Sequence, residues 1–222
     1  MSAKRVAALV AAAGEGQRLG LGPKAFVEIG GTTLLEAAVT AFEGHVDEIV
    51  IAVPPGSLER AARFAAGARL IEGAPSRQAT VRRLLSASEA DVVLVHDVAR
   101  PFLTADVIAR VVAAVERHGA CTAAIPLADT IVDVADGRVV ERERLRAIQT
   151  PQAFERSVLE RAHATADADG VVATDDAALV RRLGHPVALV DGSPLLAKLT
   201  SPADVDVMEA LHPLWCKRMA GA

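Results

Sequence analysis

The stretch VAALVAAAGEGQRLGLGPK, residues 6–24, decides the fold. It opens on the apolar run Val6–Ala12 and passes directly into a glycine-rich loop carrying Glu15, Arg18 and Lys24. A basic start followed by an apolar run imitates a secretory leader, but this run is short and ends in charge. It reads instead as a first strand buried on both faces, with a ligand loop at its carboxyl end.

Working outward, the same short apolar runs recur at Glu48–Val53, Ala68–Ile71, Val92–His96 and Thr122–Pro126. Each is bounded by Gly, Pro or charge, as buried strands are. Between them lie helical patterns at Leu34–Glu43, Ser57–Ala66, Arg77–Ser88 and Thr104–Arg117. Strand–helix alternation of this kind predicts an α/β fold, a Rossmann-like and mostly parallel sheet with helices on both faces. The alternation breaks after Pro126. Asp129–Val134 and Arg138–Glu141, joined at Asp136-Gly137, read as a polar hairpin. A two-stranded ribbon has little stability of its own, so it needs a surface to lie on. A second copy of the chain is one. Helices are expected again at Glu155–Ala166 and Asp175–Leu183, and late strands at Val187–Val190 and Leu195–Leu199. A last helix is expected to open at Ser201-Pro202, an N-cap with proline at the first helical position. The whole chain, 1–222, is expected to form one domain, with 127–149 as a β-arm.

Composition narrows the function. Of 222 residues, 51% are hydrophobic and 23% charged, which excludes a disordered chain. Aromatic residues are only 3% and the net charge is -4. Neither stacking platforms nor a basic field is present to bind nucleic acid. No apolar stretch approaches the length of a membrane span. Cys121 and Cys216 have neither zinc nor CxxC spacing, which fits a reducing, cytoplasmic setting.

Three segments carry the candidate chemistry. In the first loop, Ala12 and Ala13 lead into Gly14 and Gly16, which let backbone N–H groups approach a polyphosphate. Leu19 stands where a GxGxxG dinucleotide loop needs its third glycine. Lys24 follows Pro23 with no Ser or Thr after it, so this is not a P-loop. Two cations, Arg18 and Lys24, suit a ligand more anionic than a dinucleotide, such as a nucleoside triphosphate. The second segment runs from Glu72 to Val81 and contains Gly73, Arg77 and Thr80. Thr80 falls in a first helical turn, where hydroxyl and N–H groups can hold a base or ribose. The third is Val95-His-Asp97-Val98-Ala-Arg100-Pro101 at a strand end. Asp97 and Arg100 there suit a substrate with both hydroxyl and anionic groups. His96 has no second His at ligand spacing and reads as structural.

The run AAAGEGQRLG…GPK resembles the nucleotide-binding signature of nucleoside-phosphate transferases. With VHDVARP (95–101) and TPQ (150–152) added, the chain from Gly14 to Thr200 resembles the cytidylyltransferases acting on 2-C-methyl-D-erythritol 4-phosphate. The resemblance implies a fold of the nucleotide-diphospho-sugar transferase type. It implies CTP and a polyol phosphate as substrates and isoprenoid precursor biosynthesis as the setting. By position it makes Arg18 and Lys24 triphosphate clamps and Thr80 a contact of the cytidine. Asp97, Val98 and Arg100 fall around the polyol phosphate, and Lys198 near the reacting phosphates. Thr130 matches a substrate-binding position at the entrance of an arm, and Arg142 and Thr150 match residues on that arm, which reaches into the partner's site of a homodimer and holds the substrate phosphate. Mg²⁺ is implied, held mainly by the CTP phosphates with no protein metal site. Other enzymes of the same class, such as a ribitol-5-phosphate cytidylyltransferase, share the glycine loop. The chain departs from the family pattern at Ala25, where a polar residue is usual after Pro-Lys, and in the loop Gly73–Ser76.

Overall fold

Alternation along β1 (Val6–Ala11) explains its central place. Ala8 and Val10 belong to one apolar core, Ala7 and Leu9 to another on the opposite face, and all four are fully buried. A strand buried on both faces needs helices above and below it. The computed structural model, which describes residues 4–220, supplies them.

In chain order, β1 is followed by a small hairpin of β2 (Glu28–Ile29) and β3 (Thr32–Thr33) and by α1 (Leu34–Phe42). Thr33 and Glu36 close a capping box at the start of α1. Then come β4 (Glu48–Val53), α2 (Leu58–Ala62), β5 (Arg69–Glu72), α3 (Arg77–Ser86), β6 (Val92–Asp97), α4 (Ala105–His118) and β7 (Ala120–Pro126). The arm carries β8 (Ile131–Val132) and β9 (Val139–Val140). The chain returns through β10 (Arg146–Glu155), α5 (Arg156–Ala168), α6 (Asp176–Arg182), β11 (Ala188–Asp191) and α7 (Ala203–Ala220).

Seven strands form the main sheet in the order β11-β7-β10-β6-β1-β4-β5. Every neighbouring pair is parallel except those of β10, which runs antiparallel between β6 and β7. The Rossmann-like, mostly parallel architecture is therefore as expected.

Three elements differ from the expectation. The sequence pattern does not announce β10, because Pro151 in its middle argues against a central strand. The sheet absorbs the proline at an irregularity: the pairing of β10 with β7 shifts register between Ile148 and Gln152. Leu195–Leu199 is not a strand. Pro194–Leu196 makes a 3₁₀ turn, and Leu199 N then donates to Ala99 O at 2.8 Å. Finally, α7 begins at Ala203, and its entry is held by Asp204, whose carboxylate accepts from the N–H groups of Thr200 and Ser201. The hairpin between 129 and 141 is present, turning at Gly137 with φ +74°.

Candidate active site

From β1 the chain moves outward to β4 and β5, then returns to β6 on the other side of β1. Such a reversal leaves a crevice beyond the carboxyl ends of the two strands, where ligands bind in open α/β sheets. Here it is a cleft of about 920 Å³.

The loop after β1 forms one wall. Gly16 has φ +68°, and a Cβ there would collide with Gly22 O, so only glycine fits the turn. Lys24 N donates to Gly14 O at 3.2 Å and draws the loop closed. The neighbouring Ala25 is fully buried, so a small apolar residue suits that position.

Opposite this loop, the segment after the 3₁₀ turn is pinned to Ala99. It delivers Lys198 to the end of β6, where its Nζ donates to Asp97 Oδ2 at 2.6 Å. Lys24 Nζ donates to the Leu199 carbonyl at 2.5 Å. Arg18, Lys24 and Lys198 thus line one cavity. Burial lowers the pKa of the Lys24 ammonium, and the nearby Lys198 and Arg18 charges lower it further. A polyanion entering the cleft relieves that repulsion.

Asp97 is 8% exposed. Burial alone would raise its pKa, but the charges of Arg77 and Lys198 outweigh burial and hold the carboxyl well below the usual range. Arg77, the first residue of α3, donates through Nε to Asp97 Oδ1 at 2.9 Å and through Nη1 to Asp176 Oδ2 at 2.7 Å. Burial opposes its charge, and the two carboxylates more than restore it. Among the described residues no group of three His, Cys, Asp or Glu could hold a metal ion.

An anion-receptive cleft beside a glycine loop, on a doubly covered parallel sheet, points to nucleotide chemistry. A sequence profile of IspD, 2-C-methyl-D-erythritol 4-phosphate cytidylyltransferase, matches residues 6–212. The chain belongs to this family. It is 50% identical to the 2-C-methyl-D-erythritol 4-phosphate cytidylyltransferase of Deinococcus radiodurans over 215 residues, 95% of this chain and 90% of that one. The Thermus thermophilus enzyme of the same name is 47% identical, over 95% of this chain and 98% of its own. The crystal structure of 2-C-methyl-D-erythritol 4-phosphate cytidylyltransferase from Thermus thermophilus superposes with a TM-score of 0.85, covering 94% of this chain and 99% of that one, at 44% identity.

Within this IspD fold the expected site residues separate. Ala13, Gly14, Gly16, Thr80 and Val98 lie on the cleft wall with the charged groups already described. The Thr80 hydroxyl, however, is engaged in its own loop. It accepts from Ala74 N at 3.0 Å and donates to Ser76 O at 2.9 Å, so it shapes the loop Gly73–Ser76. Ala12 and Gly73 stand behind the wall. Ala12 N donates to Ala52 O at 2.9 Å, and a Cβ on Gly73 would collide with the Ala13 Cβ.

Arg100 does not line the cleft. It donates to Leu196 O at 2.5 Å and Ile148 O at 3.3 Å, tying the 3₁₀ turn and β10 to the end of β6. Thr150 is not on the arm but in β10, 4% exposed. Its Oγ1 accepts from Asp97 N at 3.1 Å and donates to His96 Nδ1 at 3.0 Å. This corrects the expectation that Thr150 reaches toward a partner subunit: a side chain enclosed by the sheet positions Asp97 from behind. Thr130 and Arg142 are exposed on the arm, and Arg142 donates to Ala128 O beside Glu143. Sequence reasoning assigned nothing to Asp176, the buried carboxylate that accepts from Arg77 Nη1. The signal available was a pair of adjacent carboxylates at a helix start.

Proposed function

We infer that this chain transfers CMP from CTP to 2-C-methyl-D-erythritol 4-phosphate and releases pyrophosphate. The observation carrying this reading is the convergence of Arg18, Lys24 and Lys198 on one cleft in an IspD fold. An oxygen of the polyol phosphate attacks the α-phosphorus of CTP. A new P–O bond forms, and the bond from the α-phosphorus to the oxygen bridging toward the β-phosphate breaks. The nucleophile is already anionic, so no general base is required. The barrier comes from bringing two anions together and gathering charge on the leaving group, which fixed cations lower.

Arg18 and Lys24 hold the β- and γ-phosphates and take the charge of departing pyrophosphate. Lys198, steadied by Asp97, faces the α-phosphate. The wall at Ala13, Gly14 and the segment 74–76 takes the nucleoside. Both Asp97 oxygens accept from cations, and Glu15 is the other carboxylate of the cleft. That donor set fits Mg²⁺ arriving with CTP and keeping mainly phosphate ligands.

The arm gives the second part of the proposal: a homodimer in which Arg142 and Thr130 of one protomer complete the other's site. Val132, Val134 and Val139 are exposed on the arm, with Val134 fully so. A ribbon with two-residue strands and exposed valines gains from a partner surface. No helix among the described residues is long and apolar enough to cross a membrane. The substrates are water-soluble, and the proposal places the reaction in the cytoplasm.

The test is incubation of the pure protein with CTP, Mg²⁺ and 2-C-methyl-D-erythritol 4-phosphate, with ribitol 5-phosphate and GTP as competing arms. The expected result is 4-diphosphocytidyl-2-C-methyl-D-erythritol and pyrophosphate from the first mixture. Faster turnover in either competing arm overturns the substrate assignment.

A further inference from the structure

A chain of charged groups runs from the cleft wall at Lys198, Asp97 and Arg77 back to Asp176, which does not line the cleft. Asp176, 1% exposed in the first turn of α6, accepts from Arg77 through Oδ2 and from His163 Nε2 through Oδ1 at 2.9 Å. His163 is itself buried, and among the described residues its Nδ1 has no partner. The acceptor of that bond is a carboxylate oxygen, so Nε2 is its donor. Two carboxylates then stand against two cations in the series Asp176, Arg77, Asp97, Lys198, each link 2.6–2.9 Å long.

The scaffold holding Asp176 is independent of the cleft. Gln152 on β10 donates to Asp175 Oδ2 at 2.9 Å and accepts from Ala177 N at 3.0 Å, which pins the start of α6 to the sheet. Arg77 needs such a tether. As the first residue of α3 it sits at the positive end of a helix dipole, an unfavourable place for a cation. Without Asp176 its guanidinium is free to swing, and Asp97 Oδ1 loses a fixed donor.

We propose that Asp176 is a positioning residue of the transfer reaction: it holds Arg77, which orients Asp97, which in turn fixes the Lys198 ammonium at the cleft. This rests on the assignment of Lys198 to the reacting phosphates. A displacement of that ammonium by about 1 Å is enough to cost on the order of a hundredfold in rate.

The experiment is a double-mutant cycle on kcat, using D176N, K198A and the double variant, with thermal unfolding measured on each. D176N is nearly isosteric; it removes the charge and turns one of the two acceptor oxygens into a donor. Expected is a fall in kcat of roughly ten- to a hundredfold in D176N with KM for CTP within about threefold. In the K198A background D176N should change kcat by less than about twofold, because the group it positions is gone. Wild-type kcat in folded D176N, or full multiplication of the two effects, overturns the proposal. K198A with normal turnover instead overturns the Lys198 assignment, and this inference with it. Should D176N not fold, R77K replaces it in the same cycle, since one ammonium cannot serve both carboxylates in the observed geometry. The same criteria then apply.

Discussion

Lys198 Nζ lies 2.6 Å from Asp97 Oδ2, across a sequence separation of 101 residues. The contact joins the carboxyl end of β6 to a loop near the end of the chain. It also couples two opposing demands. Asp97 keeps its charge in a buried place because Arg77 and Lys198 are there, and Lys198 is held at the cleft because Asp97 is charged.

Lys24→Ala should lower kcat by roughly 10²–10³ while the protein stays folded, since one preorganised donor to the leaving group is removed. Pyrophosphate release and circular dichroism on the same sample decide it. Turnover within a few-fold of wild type would remove Lys24 from the clamp.

His96 makes stability depend on acid. It donates from Nε2 to Arg100 O and accepts at Nδ1 from Thr150, so it is neutral in the folded state. Burial pushes its pKa down to about 4 from 6.5. Between those two values the unfolded chain binds a proton that the folded chain does not. Stability is therefore full above about pH 6.5 and falls as pH drops toward 4, by on the order of 3 kcal/mol at most. Urea unfolding of wild type and His96→Gln at several pH values should show a flatter profile for the variant in that window. Parallel profiles would contradict the assignment.

Gly73 and Gly14 should respond differently to alanine. An added Cβ on Gly73 runs into the Ala13 Cβ, whereas one on Gly14 meets nothing within 4 Å. Gly73→Ala is expected to cost about 1–3 kcal/mol by overpacking and to raise KM for CTP by shifting the first loop. Gly14→Ala should leave the melting temperature within about a degree or two. Equal melting temperatures for the two variants would mean the loop yields at no cost.

The proposed crossing of the arm between two copies is tested by complementation. Neither Arg142→Ala nor Lys24→Ala homodimers should turn over well. Mixed dimers should regain activity, because one of their two sites receives an intact arm and an intact clamp. A mixture no more active than its components, with subunit exchange verified, counts against Arg142 acting in trans.

Much of the layout was legible in the chain itself. The apolar runs at Val6–Ala12, Glu48–Val53 and Val92–His96 lie close to β1, β4 and β6. Strands buried on both faces leave a continuous hydrophobic signature. The glycine loop with Arg18 and Lys24 was legible for a related reason: Gly16 must adopt a positive φ, and local backbone geometry writes itself into local sequence. β10 was hidden because Pro151 looks like a strand breaker, and only the neighbouring strands, through their register shift, make room for it.

Sequence alone thus determined the parallel sheet, the position of the ligand loop and the cations available for phosphate chemistry, since periodicity, turn residues and charge are properties of short segments. Tertiary structure alone decided which of those groups meet. It drew Arg100 and Thr150 into supporting roles behind β6, brought Lys198 onto Asp97, and buried Asp176 beneath Arg77. The physical reason is that a buried charge must find its counter-charge wherever the packed sheet and helices place one, and that distance in space carries no mark along the chain.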